Sequence, residues 1–167
     1  MKFKILIVII VILITYVYVS YYYRYPKTVS ILQTRLEDFS LQALLEKQPI
    51  VIQDLVKDMS ELQNAWFKSN IIYNDVYESD HNDTWRKNRF KYLFLKPEHE
   101  DTEVLLYPAH LKMIDSNPDP DESILAIKLK KDQVIVIPIH WHYCISSLNS
   151  TLYTSFGVHD YITFVLP

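Results

Sequence analysis

The sequence predicts a mainly β domain, an antiparallel sandwich or barrel with short helices at its start, preceded by one membrane-spanning helix. Three observations carry that expectation. An apolar run of spanning length opens the chain, helix signals are confined to residues 40–66, and beyond Phe90 short apolar runs alternate with turn residues. The 167 residues suffice for an anchor with its linker (residues 1–28) and one compact domain (residues 29–167).

The anchor is read first. Ile5 to Val19 is apolar apart from Thr15, Tyr16 and Tyr18, with Lys2 and Lys4 ahead of it and Ser20, Tyr21, Tyr22, Tyr23 and Arg24 behind. At about 1.5 Å per residue, a helix over residues 3–23 crosses a hydrocarbon core of about 30 Å. The tyrosines suit an interfacial belt, and Arg24 and Lys27 suit headgroups. The lipid bilayer is therefore the first expected partner, through residues 3–23, and the expected location is a single-pass position in a membrane. A cleaved signal peptide is the competing reading, but the small residues of a cleavage site are missing where Tyr18 and Ser20 stand. The flanking charges nearly balance, so they leave the orientation open.

Pro26 ends the anchor. Ser40 caps a short helix that presents Leu41, Leu44 and Leu45 on one face, and Pro49-Ile50-Val51-Ile52 follows as a strand. Ser60-Glu61-Leu62-Gln63 has the capping-box pattern and starts a helix that buries Leu62, Trp66 and Met59. Strands are expected at Phe90–Leu95 and Val104–Tyr107, either side of the acidic turn Glu98–Asp101. Ser123–Lys130 alternates, with Leu125, Ile127 and Leu129 facing in. Further strands are expected at Gln133–Ile137, Trp141–Ser146 and Tyr161–Leu166.

Composition removes several functions. A net charge of −3 gives no basic field for nucleic acid. One cysteine excludes an intrachain disulfide and any cysteine-rich zinc site. One glycine excludes a glycine-rich phosphate loop, so turns fall to Pro, Asn and Asp. Asp115-x-Asn117-x-Asp119-x-Asp121 mimics the start of a calcium loop, yet it lacks the loop glycine and has Ala126 at the last ligand position, so it reads as a rigid acidic turn. Asn82-Asp83-Thr84 and Asn149-Ser150-Thr151 are glycosylation sequons if the domain is translocated.

An ordered set of segments resembles the JmjC and cupin-like family. Glu46-Lys47-Gln48-Pro49-Ile50-Val51-Ile52 is similar to its opening "E-K-x-P-[VI]-V-I", Asn88–Pro97 to its "K-R-F-x-L-F-x-P" strand, and Leu106-Tyr107-Pro108 to its "L-Y-P". Asp132–Tyr143 resembles "G-D-V-L-[FY]-I-P-x-x-W-W-[HY]". The resemblance covers about residues 40–147 and implies a double-stranded β-helix. Active members of the family use Fe(II) and 2-oxoglutarate to hydroxylate or demethylate proteins. Degenerate members exist, some encoded by large DNA viruses, and cupin-like barrels often form homo-oligomers.

That chemistry needs two histidines and one carboxylate on one face of the iron. His81-Asn82-Asp83 has the H-x-D spacing near the family position, and His99-Glu100-Asp101 repeats the spacing beyond the strand. The distal histidine maps to Tyr143 or Cys144, and neither is histidine. In a regular strand His140, His142 and Cys144 share one face. A triad of His81, Asp83 and His142 would restore the metal site. The expected function is thus a membrane-anchored, non-catalytic cupin-like structural or interaction protein, without cofactor and without catalytic or metal residues. The alternative is a membrane-tethered Fe(II)/2-oxoglutarate-dependent oxygenase built on His81, Asp83 and His142.

Overall fold

The computed structural model describes residues 2–26, 29–54, 56–68, 70–79, 84–108, 110–111, 113–119, 124–146, 151–160 and 163. In chain order these form α1 (Lys2–Tyr22), β1 (Leu32–Thr34), α2 (Leu41–Leu44), β2 (Ile50–Ile52), α3 (Met59–Trp66), β3 (Ile71–Ser79), β4 (Arg86–Lys87), β5 (Tyr92–Pro97), β6 (Thr102–Tyr107), β7 (Met113–Ile114), β8 (Asn117–Pro118), β9 (Leu125–Leu129), β10 (Val134–Pro138), β11 (His142–Ser146) and β12 (Thr151–His159).

Eight of the strands make one wound hairpin. The outgoing arm β3, β4, β5, β6 pairs antiparallel, step by step, with the returning arm β12, β11, β10, β9. Alternate steps fall on opposite sheets, which gives the orders β1-β2-β10-β5-β12-β3 and β4-β11-β6-β9. This winding is the double-stranded β-helix of cupins and jelly rolls, in which every strand but those at the sheet edges has two neighbours.

The six-stranded sheet is covered on both faces, which explains its continuous apolar runs. Along β5 and β10, Leu93, Leu95, Ile135 and Ile137 point between the sheets, where they meet Val104, Leu106, Ile127 and Leu129. Tyr92, Phe94, Val134 and Val136 point the other way, onto a layer supplied by Phe39, Leu44, Leu62 and Phe67. Phe94 stacks on Phe156 at 4.3 Å between ring centroids. Strand alternation in β9 agrees with expectation, with Ile127 and Leu129 buried and Ala126 and Lys128 exposed.

Several local expectations are corrected. Ser60 does not cap α3. Asp58 does, accepting the Ser60 N–H at 2.8 Å and starting the helix at Met59. Ser40 does cap α2, but only Leu44 of its leucines is shown to be buried, and Leu45 is 57% exposed. The strand expected from Phe90 starts at Tyr92, because the Asn88 side chain turns back to accept the Phe90 N–H. The acidic turn Asp115-Ser116 is a two-residue hairpin with φ of 47° and 68°, joining β7 to β8. Two nine-residue strands, β3 and β12, were not expected. They pair with each other over their whole length, so their order comes from the partner strand rather than from local pattern. Of the strand expected at Tyr161–Leu166 only Thr163 is described.

The single glycine has a packing reason. A Cβ on Gly157 in β12 would land on the ring of Phe90. Gly157→Ala is expected to displace that ring and destabilise the chain by about 1–3 kcal/mol. Thermal unfolding of the detergent-solubilised chain measures the loss, and Phe90→Ala should restore tolerance of the Cβ.

Candidate functional site: the anchor–barrel junction

The bend between β10 and β11 lies beside the end of the apolar helix. Its turn runs from Pro138 to Trp141, with the Trp141 N–H reaching back to the Pro138 carbonyl at 3.4 Å. His140 takes φ = 73°, the left-handed conformation that the third position of a type II turn requires and that favours glycine. In a chain with one glycine the conformation is held from outside. Buried Asn88 donates from Nδ2 to the carbonyls of Ile137 and Pro138 at 2.8 and 2.9 Å. Its backbone N–H donates to Trp141 and its carbonyl accepts from His140.

Trp141 points into the core between the sheets and is 1% exposed. Its Nε1 donates to the Lys47 carbonyl at 2.9 Å. That bond fixes the loop after α2, where Lys47 itself has φ = 55°. The Lys47 side chain then closes the end of α1. Its Nζ donates to the carbonyls of Tyr21, Tyr22 and Arg24 at 2.5, 2.8 and 2.9 Å. The last carbonyls of a helix have no intrahelical donors and carry the negative end of its dipole, so an ammonium there satisfies both. Lys47 is 4% exposed, and burial, reinforced by the like charges of Arg24 and Lys91, lowers its pKa to about 8.

Two further contacts seat the helix. Tyr22 is 8% exposed and meets the edge of the His140 ring at 4.9 Å. The Tyr18 hydroxyl donates to Asp160 Oδ2 at 2.9 Å, and the same oxygen pairs with Lys91 Nζ at 3.0 Å. Between helix and barrel remains a cavity of about 10 Å³, bordered by Tyr18, Lys47, Tyr92, Ile139 and Asp160. That is about the room one water needs.

Of the three residues singled out for iron, only His142 lies among those described. His81 and Asp83 lie outside the described residues, as do the sequon asparagines Asn82 and Asn149. His140 belongs to the turn, so it does not share the strand face of His142 and Cys144 as a regular strand would require. Register decides the rest. Tyr143 and Ile145 lie opposite Leu106 and Val104, the inward residues of β6, so His142 and buried Cys144 turn to the outer face. Tyr143, one of the two positions to which the resemblance maps the distal ligand, packs on the interior core, and the Arg86 guanidinium lies near its hydroxyl and that of Tyr153. His99 and Glu100 are exposed at the far end of β5, and among the described residues no three His, Cys, Asp or Glu side chains converge. What sequence reasoning missed was Lys47 and Asn88, both inside the quoted family segments. The only local signal was an asparagine two residues ahead of a backbone donor.

The junction should loosen in acid in two steps. Burial, then the charges of Lys87 and Lys47, lowers the His140 pKa to about 4, although the Tyr22 backbone carbonyl, as an acceptor for the imidazole, opposes this. The unfolded chain takes up its proton near pH 6.5 while the folded chain does not, so stability falls as pH drops from about 6.5 to about 4. Asp160 acts later. Burial would raise its pKa, but the Thr163 N–H, Lys91 and Tyr18 together hold it down at about 2. Its contribution is complete above about pH 4 and lost toward pH 2. Unfolding midpoints against pH should show both steps, with His140→Gln flattening only the first.

Comparison with known proteins gives limited likeness. No family model and no curated sequence matches. Among solved structures, the chain resembles the dTDP-6-deoxy-D-glucose-3,5-epimerase RmlC of Legionella pneumophila, in complex with dTDP-4-keto-L-rhamnose, at 7% identity over 62% of this chain and TM-score 0.39. It also resembles RmlC of Streptococcus suis, in complex with dTDP-D-xylose, at 12% identity over 75% of this chain and TM-score 0.36. In each case the chain spans 56% of the compared structure, just over half its length.

Proposed function

We propose that this chain is a membrane-anchored cupin-like domain serving as a structural or interaction module, with the polar chemistry of its proline bend used to hold the anchor. The observation that carries the reading is Tyr143. At one of the two positions to which the resemblance maps the distal iron histidine, a phenol packs on an aliphatic interior beside Arg86. The apolar helix α1 supports the anchor, since the 20 residues Phe3–Tyr22 contain an 18-residue window of mean hydropathy 2.6.

The test is made on the full chain expressed in membranes. Retention in the membrane after alkaline carbonate, lost on deletion of residues 3–22, is expected of an anchor. Release of the intact chain by carbonate, or cleavage after residue 20, would overturn it. For the domain, purified protein loaded with Fe(II) should hold no stoichiometric iron and turn over no 2-oxoglutarate. Bound iron that disappears in His142→Ala, with 2-oxoglutarate turnover, would instead establish the oxygenase of His81, Asp83 and His142.

A further inference from the structure

The apolar helix and the barrel overlap. The Phe3–Tyr22 run is about 30 Å long, a match to the hydrocarbon core. Its last turn, however, is engaged by the domain, through Tyr18 on Asp160 and Tyr22 on His140. The stretch Phe3–Val17, free of those contacts, has fifteen residues and spans about 22 Å, roughly 8 Å short of the core. Lys47 closes the helix end, so the domain cannot swing clear without exposing three carbonyls.

Around the helix exit the domain's surface is amphipathic. Tyr23, Tyr25 and Leu45 are exposed there, at 59%, 43% and 57%, and Arg24, Tyr25 and Leu45 line one groove of about 510 Å³. The polar groups at the level of Tyr18 are paired from within, by the Lys91–Asp160 pair and the Thr163 N–H, which lowers the cost of withdrawing them from water.

Resting on the anchored reading, the geometry points to the collar of Tyr23, Arg24, Tyr25 and Leu45 as a second membrane contact, seated in the phospholipid headgroup layer. The domain descends by about 8 Å, the thickness of that layer, and the whole Phe3–Tyr22 run then lies in hydrocarbon. Aromatic rings and an arginine at this depth match the interfacial belt, and Leu45 reaches the acyl boundary. The domain thus sits on the bilayer, with β5 running away from it from Tyr92 toward the acidic turn Glu98–Asp101.

Spin labels test this on the full chain in nanodiscs of phosphatidylcholine and phosphatidylglycerol, with Cys144→Ala as background and labels at Ile9→Cys, Leu45→Cys, Tyr23→Cys and Glu100→Cys. Collisions with a water-soluble nickel chelate should be nearly abolished at residue 9, reduced several-fold at residues 45 and 23, and full at residue 100. Full collisions at residue 9 would mean that the anchor itself is wrong. A buried residue 9 with residues 45 and 23 as accessible as residue 100 would overturn the headgroup contact alone. Circular dichroism and unfolding midpoints close to those of the background confirm that each labelled chain is folded.

Discussion

Trp141→Ala is expected to destabilise the chain by about 3–5 kcal/mol, a large share of the 5–15 kcal/mol that holds a typical domain together. The indole is among the largest fully buried side chains and lies between the sheets with Ile137, Ile145 and Val104, so its removal leaves a cavity that strands on both sides cannot easily close. It also orphans the Lys47 carbonyl. Trp141→Phe separates the two effects: most of the volume stays, the donor goes, and the expected loss falls to about 1–3 kcal/mol. Denaturant unfolding in detergent measures both. Equal losses in the two variants would mean that the hydrogen bond to Lys47, rather than packing, dominates this position.

Lys47→Met has the second large effect and a different signature. It leaves the carbonyls of Tyr21, Tyr22 and Arg24 without the ammonium that joins them to the barrel. At about 1–3 kcal/mol for each group left unsatisfied, and with part of this recovered by water, undocking of the helix becomes easier by about 2 kcal/mol or more. Tryptic cleavage after Arg24 should then accelerate by about 30-fold, since 1.4 kcal/mol is a factor of ten. Lys96→Met is the control. Lys96 is equally buried, but it pairs with Glu98 and Asp132 at the far end of β5, so its loss should lower overall stability while leaving Arg24 protected.

The contrast between these lysines shows what local pattern could and could not reveal. The continuous apolar runs Tyr92–Leu95 and Val134–Ile137 announce strands buried on both faces, and the structure places helices on one side and the second sheet on the other. The alternation of Leu125–Leu129 announces a strand buried on one face, and it is one. By contrast, nothing local distinguishes Lys47 from a surface lysine, because its three acceptors come from residues 21–24. Asn88 reaches carbonyls about 50 residues away. β3 carries polar residues that local propensity reads as loop, and its order comes from nine paired residues of β12.

By itself the sequence determined the apolar helix, the strand-rich domain and the buried proline bend. Those are properties of composition, period and register, each written in neighbouring residues. Only the tertiary structure decided that Tyr143 faces in while His142 and Cys144 face out, and that the bend holds the apolar helix through Trp141 and Lys47. Each of those outcomes depends on which distant backbone group stands opposite a side chain, and winding one hairpin into a barrel brings residues 22, 47, 88 and 141 together.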